Sequence, residues 1–227
     1  MHAGGMAREG VGMSRPPGND DDLVQRLESG DPQALADAFA LHRQRLACLV
    51  RFRLAPRLQG RLDADDVLQE AYLAAARRIA HFGRTESPSP FVWLRMIVMQ
   101  TLVDLYRQHL GAKMRDGGRE VPIQEVGYPD ATSASMAISL AAQLTSPSQA
   151  AVRAERMDRV RQAIETMDPI DREVLALRHF EELTNQEAAE VLGIQPKAAS
   201  IRYVRALRRL KALVAELPAF QDETRDA

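Results

Sequence analysis

Thr184–Lys211, TNQEAAEVLGIQPKAASIRYVRALRRLK, is the stretch that decides how this chain is read. Thr184 followed three residues later by Glu187 is a capping box, in which hydroxyl and carboxylate each take up a backbone N–H left without a partner at a helix start. A helix therefore begins here. Ala188, Ala189, Val191 and Leu192 give it a small apolar inner side, and Gly193 ends it by adopting the left-handed backbone that other residues avoid. Ile194 is expected as a wedge between two helices, and Pro196 falls in the first turn of the second, where its missing N–H is harmless. Lys197, Arg202, Arg205, Arg208, Arg209 and Lys211 then follow with no acidic residue among them. Ile201, Val204, Leu207 and Leu210 recur at helical spacing and are expected on the buried side. The pattern predicts a helix-turn-helix with its second helix in a DNA major groove, first residues on base edges and later cations on phosphates. Solvated arginines on a surface helix are the plainer reading. The coincidence of cap, glycine turn, small inner residues and one-sided charge favours DNA.

Composition narrows the rest. The 227 residues suffice for one large or two small domains, and an apolar share of 45% can supply real cores. A formal net charge of −1 excludes a globally cationic protein that coats nucleic acid, so the useful cations must be segregated. Cys48 is the only cysteine, which rules out a disulfide framework and a thiolate zinc cluster and fits a reducing, cytoplasmic setting. Its apolar helical context, ALHRQRLACLVRF, predicts a buried structural thiol. No run reaches the roughly 18 apolar residues of a membrane span, so no membrane insertion is expected. The start, MHAGGMAREGVGMSRPPGNDDD, lacks a signal peptide's apolar core and reads as a disordered leader, with Met6 and Met13 as alternative starts.

Taken in order, the chain is all-α. From Asp20 to about Leu54 a short helix precedes a longer one, opened by the Asp31–Pro32 cap and carrying Leu35, Phe39, His42, Leu46 and Leu49 on one face. His42 is expected as a structural histidine, since no partner has ligand-like spacing. The next helix, RLDADDVLQEAYLAAARRIAHF, has Leu68, Tyr72, Ala75, Ile79 and Phe82 inward, with Asp65, Asp66, Gln69 and Glu70 near its N-terminal end. Complementarity to the helix dipole alone accounts for those acids; a metal or acid–base site would need companion ligands the sequence lacks. After the loop GRTESPS, Ser89 and Pro90 open FVWLRMIVMQTLVDLYRQHL, which is expected to close at Gly111. Its stripe is Phe91, Leu94, Val98, Leu102 and Leu105, while Trp93, Arg95, Gln100, Asp104, Tyr106 and Arg107 occupy other faces. Aromatics interleaved with cations suit a single-stranded nucleic acid, because bases stack on rings while phosphates meet cations. Ordinary core for Trp93 and Tyr106, and a surface pair between Asp104 and Arg107, fit equally. Periodicity then fades through a Gly-, Ser- and Pro-rich stretch, within which Met136–Leu144 could form a short helix. It resumes at Ser148 with Val152, Met157, Val160, Ile164 and Met167, and the Asp168–Pro169 cap leads into the helix-turn-helix. The expected organisation is a leader over 1–19, a helical domain over 20–112, a linker over 113–147, a second helical domain of about four helices over 148–217 and a tail over 218–227.

These parts, in this order, resemble the extracytoplasmic-function (ECF) group of the sigma-70 family, bacterial initiation factors of two domains. DADDVLQEAY resembles the family's polymerase-docking signature, SPFVWLRMI with Asp104 and Arg107 its −10-reading helix, and PIDREVLALRHFEELTNQEAAEVLGI with IRYVRALRRL its −35-binding domain. The resemblance implies a promoter-specificity subunit that is not an enzyme, with no cofactor and no metal. Its implied partners are bacterial core RNA polymerase, promoter DNA and an anti-sigma factor or other inhibitory partner. It further implies that Asp65, Asp66, Gln69 and Glu70 face polymerase. Phe82, Arg84, Trp93, Gln100, Arg107, Lys113 and Arg115 would meet the melted −10 strand, where the loop after Phe82 captures a flipped base. Thr184, Gln195, Lys197, Ala198, Ser200, Ile201, Arg202, Arg205, Arg208 and Arg209 would meet the −35 duplex. The chain departs from the family at Pro196–Ser200, where a small-Gly-Thr-Val-Lys run is common, and at Gln100, where Asn is usual; both departures bear on which promoter is read. A conventional helix-turn-helix regulator, with residues 1–145 as a sensing or dimerising domain, is the competing function. A nucleic-acid enzyme is a third, and the scattered histidines and the lack of a phosphate loop or nucleophile elbow count against it.

Overall fold

A computed structural model of the chain describes residues 20–54, 62–84, 89–114, 128–144 and 150–215; side chains at 20, 84, 109–114, 128–131, 141–144 and 150–156 fall outside that description. Every element with regular structure is helical: α1 (Asp20–Glu28), α2 (Pro32–Arg53), α3 (Ala64–Ala76), a 3₁₀ turn (Ile79–Arg84), α4 (Pro90–Met114), α5 (Tyr128–Leu144), α6 (Ala150–Glu165), α7 (Pro169–Leu175) with a π turn (Ala176–Phe180), α8 (Asn185–Leu192) and α9 (Pro196–Ala215).

Local chemistry starts these helices where the sequence places the caps. The Asp31 carboxylate accepts from Gln33 N–H and that of Asp168 from Ile170 N–H, each ahead of a proline. The Ser89 hydroxyl accepts from Val92 N–H at 3.2 Å and opens α4. That helix runs on past Gly111 to Met114, because nothing after the glycine breaks its backbone ladder. Likewise the helix between the two expected domains is longer than Met136–Leu144 and starts at Tyr128. Its stretch of Ala and Ser packs closely, with Ser133, Ser135, Met136 and Ala137 buried.

Apolar burial, worth roughly 1.5–3 kcal/mol per large aliphatic side chain, is gathered in two clusters, and neither respects the expected domain boundary. The first combines Leu27, Leu35, Leu46, Leu49, Leu68, Phe91, Leu94 and Val98 with Leu177, Leu183 and Ala188 from the far end of the chain. The second joins Met136, Val160, Ile164, Val174, Leu175, Ala206 and Leu210 to Phe52 of α2, whose ring stacks on Phe180 at 5.0 Å. The π turn is what aims the crossing residues. Its wider step is closed by Glu181 N–H on the Ala176 carbonyl at 2.9 Å, and Glu182 follows with a left-handed φ of 57°. Glu181 and Leu183 are thereby turned towards α2 and α4.

Two expectations of burial are corrected. Cys48 is exposed, since the buried stripe of α2 runs through Leu35, Ala38, Phe39, Leu46 and Leu49, and Cys48 lies off it beside Gln44. On α9 the inner stripe is Ala199, Ala206 and Leu210 with Tyr203, while Ile201, Val204 and Leu207 are 57%, 44% and 40% exposed. Small alanines allow α7 and α8 to approach α9 closely, and the bulkier residues are left outside.

Candidate nucleic-acid and protein interfaces

The helix-turn-helix is built as its local chemistry demands. The Thr184 hydroxyl accepts from Glu187 N–H at 3.2 Å, and the Glu187 carboxylate accepts from Thr184 N–H at 2.7 Å, closing the capping box. Gly193 takes φ 63° at the end of α8, a conformation that costs a β-carbon-bearing residue steric strain. Ile194 is only half-buried, less of a wedge than its sequence position implies. Asn185 Nδ2 donates to the Pro196 carbonyl at 2.8 Å and ties the two helices across the turn. On the outward face of α9, Gln195, Lys197, Ser200, Ile201, Arg205, Arg208 and Arg209 are exposed, and Ala198 is half-buried beside them. Thr184 is exposed as a cap. Arg202 differs from its neighbours: its guanidinium lies 3.7 Å from Asp171, a buried carboxylate with one oxygen lacking any hydrogen bond. That face offers first-turn polar groups followed by cations, the order a major-groove helix needs.

The acidic end of α3 is also open. Asp65, Asp66, Gln69 and Glu70 are exposed, and Asp65 pairs with Arg43 of α2 at 2.7 Å. Asp63, not one of these four, caps the helix by accepting from Asp65 N–H, so the acids beyond it are not needed for capping and remain available to a cationic partner.

The aromatic and basic helix is divided. Gln100 and Arg107 are exposed and both turn towards Asp104, at 3.1 and 3.8 Å. Phe82 and Trp93 are buried, 2% and 3% exposed, and meet edge to face at 5.2 Å; as arranged, neither ring is open to a base, and the pair serves as core. The side chains of Arg84 and Lys113, all of Arg115, and loop residues 85–88 lie outside the described residues. Sequence reasoning assigned no role to Arg45, Arg53 or Glu181, although they form the most strongly charged buried cluster described. Glu181 has no exposed side-chain surface and lies between Arg53 (Nε–Oε1 2.5 Å) and Arg95 (Nε–Oε2 2.7 Å). Arg53 also meets Glu173 at 2.7 Å and Thr132 of α5 at 2.9 Å. Arg45 grips Glu187 at 2.9 and 3.2 Å while its guanidinium covers the Phe91 ring at 3.5 Å. Burial pushes the Glu181 carboxyl up, but the guanidiniums of Arg53 and Arg95 outweigh it and hold it below its ordinary value. Glu187 is likewise lifted by burial and brought down further by Arg45 and the Thr184 N–H.

Among the described residues no group of His, Cys, Asp and Glu is placed to hold a metal ion, and no helix is long and apolar enough to cross a membrane.

Comparison with known proteins places both ends of the chain. Residues 39–110 match the family model for Sigma-70 region 2, and 157–210 the model for Sigma-70, region 4. RNA polymerase sigma-H factor of Pseudomonas aeruginosa is 31% identical over 189 residues, spanning 82% of this chain and 89% of its own. RNA polymerase sigma factor CnrH of Cupriavidus metallidurans is 28% identical over 200 residues, with 88% and 96% covered. The ECF RNA polymerase sigma factor SigD of Mycobacterium tuberculosis is 28% identical over 192 residues, with 84% and 82% covered. Among solved structures, that of CnrH in complex with the cytosolic domain of CnrY is 26% identical with a TM-score of 0.48, covering 87% of this chain and 99% of that one.

Proposed function

Because the chain belongs to the sigma-70 family of RNA polymerase sigma factors, we propose that its exposed faces divide the work of promoter recognition among themselves. As an ECF-type sigma factor it directs core RNA polymerase to promoters, recognising −35 duplex and melted −10 DNA. In the proposed division, Asp65, Asp66, Gln69 and Glu70 dock on a basic surface of core polymerase. Gln195, Lys197, Ala198, Ser200 and Ile201 face −35 base edges, and Arg205, Arg208 and Arg209 face phosphates, with Thr184 holding the helix start. Gln100 and Arg107 contribute to the −10 surface together with Arg84, Lys113 and Arg115. Phe82 and Trp93 support that surface from below. Residues 20–112 and 148–217 act as the two working units, with 113–147 connecting them.

The observation that carries this reading is the outward face of α9, cationic and free of acids, set behind a capped helix and a left-handed glycine turn. The protein acts by binding alone, without catalysis, and works where polymerase works, in the cytoplasm. An inhibitory partner that covers the DNA-binding faces belongs to the same reading. The test is a pull-down of the purified chain with sigma-free bacterial core polymerase, followed by transcription from a random promoter library. Stable association with recovery of paired −35 and −10 elements is expected. Specific DNA binding without polymerase association would overturn the reading in favour of a conventional regulator.

A further inference from the structure

Two anion-seeking features of the first unit are each occupied by a carboxylate of the second. Arg53 and Arg95 enclose Glu181. Arg45, lying over the Phe91 ring, holds Glu187 by both oxygens. The two glutamates lie six residues apart, on α8 and the turn before it, whereas the three arginines come from α2 and α4. A guanidinium fork accepts a carboxylate or a phosphate with the same two-point geometry, so a surface that fits these glutamates fits nucleic-acid phosphates as well.

The choice of charge for this contact has a physical consequence. The contact also buries Leu177, Leu183 and Ala188 against the first core and stacks Phe52 on Phe180, and that apolar part is lost when the units separate. Arginine and glutamate regain hydration on separation, which lowers the cost of parting them relative to their cost of burial. The charged part makes the contact specific when closed and offsets part of the cost of opening it. Arg95 also lies on α4, the helix that carries Gln100 and Arg107, one turn or more towards its start.

We propose that Arg45, Arg53 and Arg95 form a phosphate-binding surface for single-stranded DNA, masked by Glu187 and Glu181 of the second unit while the two units are packed together. The glutamates stand in for the phosphates of the strand. Opening exchanges one set of anions for the other, and by linkage a bound strand favours the open arrangement as strongly as opening favours the strand. This inference rests on the sigma-factor reading for its ligand and adds residues and a mode of regulation to it.

The experiment uses the full chain with Glu181→Gln, an isosteric change that removes the charge. Cys48, single and exposed, takes one dye; Ala212→Cys on α9 takes the other, in both backgrounds. Binding of a 20-nucleotide single strand is followed by anisotropy from 0.05 to 0.3 M salt. Each phosphate contact contributes about 0.7 to the salt slope for single strands, so two released arginines are expected to steepen it by about 1.4. That corresponds to roughly tenfold tighter binding at 0.15 M salt, accompanied by a fall in energy transfer between the dyes. Adding Arg53→Gln and Arg95→Gln to the Glu181→Gln chain is expected to erase the gain. Unchanged affinity and slope, a gain that survives loss of both arginines, or a gain with no change in transfer would each overturn the proposal. Should Glu181→Gln reduce the folded fraction seen by circular dichroism, Glu187→Gln frees Arg45 at a partly buried position; it is expected to steepen the slope by about 0.7, a gain that adding Arg45→Gln erases. Association of the wild-type chain with sigma-free core polymerase is measured in parallel. Failure there counts against the function, whereas failure of the binding series with association intact counts against the mask alone.

Discussion

Replacing Arg205 and Arg208 with alanine separates electrostatic contact with the −35 duplex from everything else the second unit does. Both side chains are exposed on α9, three residues apart on one face, and among the described residues neither forms an ion pair, so their loss leaves the fold without an orphaned partner. A cation on a B-DNA phosphate contributes about 0.9 to the slope of log affinity against log salt. Two such contacts lower the slope by about 1.8. Extrapolated from 1 M to 0.15 M salt, they account for roughly a 30-fold loss of affinity, or about 2 kcal/mol. The loss should be uniform across duplex sequences, because phosphates carry no base information. The assay is anisotropy of a labelled −35 duplex titrated with the full chain across a salt series, using a matched and a scrambled duplex. A slope unchanged within about half a unit would refute the assignment even if affinity fell, since an affinity loss without counterion release must come from altered structure.

Other consequences can be checked separately. Arg202→Ala should cost about 1–3 kcal/mol of folding stability by denaturant titration, because it removes the ion pair that the buried Asp171 makes among the described residues; unchanged stability would return Arg202 to the DNA-facing set. Thr184→Ala removes the hydroxyl half of the capping box and should cost about 1 kcal/mol, with Thr184→Ser restoring most of it in the same titration. Replacing Asp66, Gln69 and Glu70 together should abolish capture by core polymerase while leaving the circular dichroism spectrum unchanged, and retained capture would remove α3 from the docking surface. Acid should also loosen the packing of the two units. Glu181 and Glu187 titrate below their ordinary range when packed, so their contribution is complete above about pH 4.3, the value of an ordinary glutamate. It is lost as pH falls below that value, through their lowered pKa. A rise in hydrogen exchange of the Leu183–Ala188 backbone should appear below about pH 4 and not between pH 6 and 5.

What could be read from the residues was local. The capping box, the Asp31 and Asp168 caps and the Gly193 turn depend on groups two to four residues apart, and side-chain chemistry at that range is visible in a sequence. The pairs Arg53–Glu181, Arg95–Glu181 and Arg45–Glu187 join residues 128, 86 and 142 apart, where periodicity carries no information. Arg95 drew notice only as a cation among aromatics, and its real surroundings depend on the π turn that brings Glu181 beneath it. The inner face of α9 was misread for another reason: alanine has little hydrophobic weight, yet a line of alanines is what a close helix crossing selects, and it displaced Ile201, Val204 and Leu207 to the outside. Trp93 and Phe82 fitted both core and base-stacking roles in the sequence, and their mutual packing decides for the core in this arrangement.

In the proposed division of the chain, α5 lies in the segment that connects the two units. Its 17 residues advance about 1.5 Å each while helical and about 3.3 Å each when extended, so unwinding it adds roughly 30 Å to the contour of the connecting chain. At 3.4 Å per base pair that increment corresponds to about nine base pairs of promoter. The helicity of α5 is therefore a length reserve. Substitutions that stiffen it, such as alanine for the serines at 133 and 135, would shorten the tether's effective reach and favour promoters with a shorter spacer, with no change in either DNA-reading face.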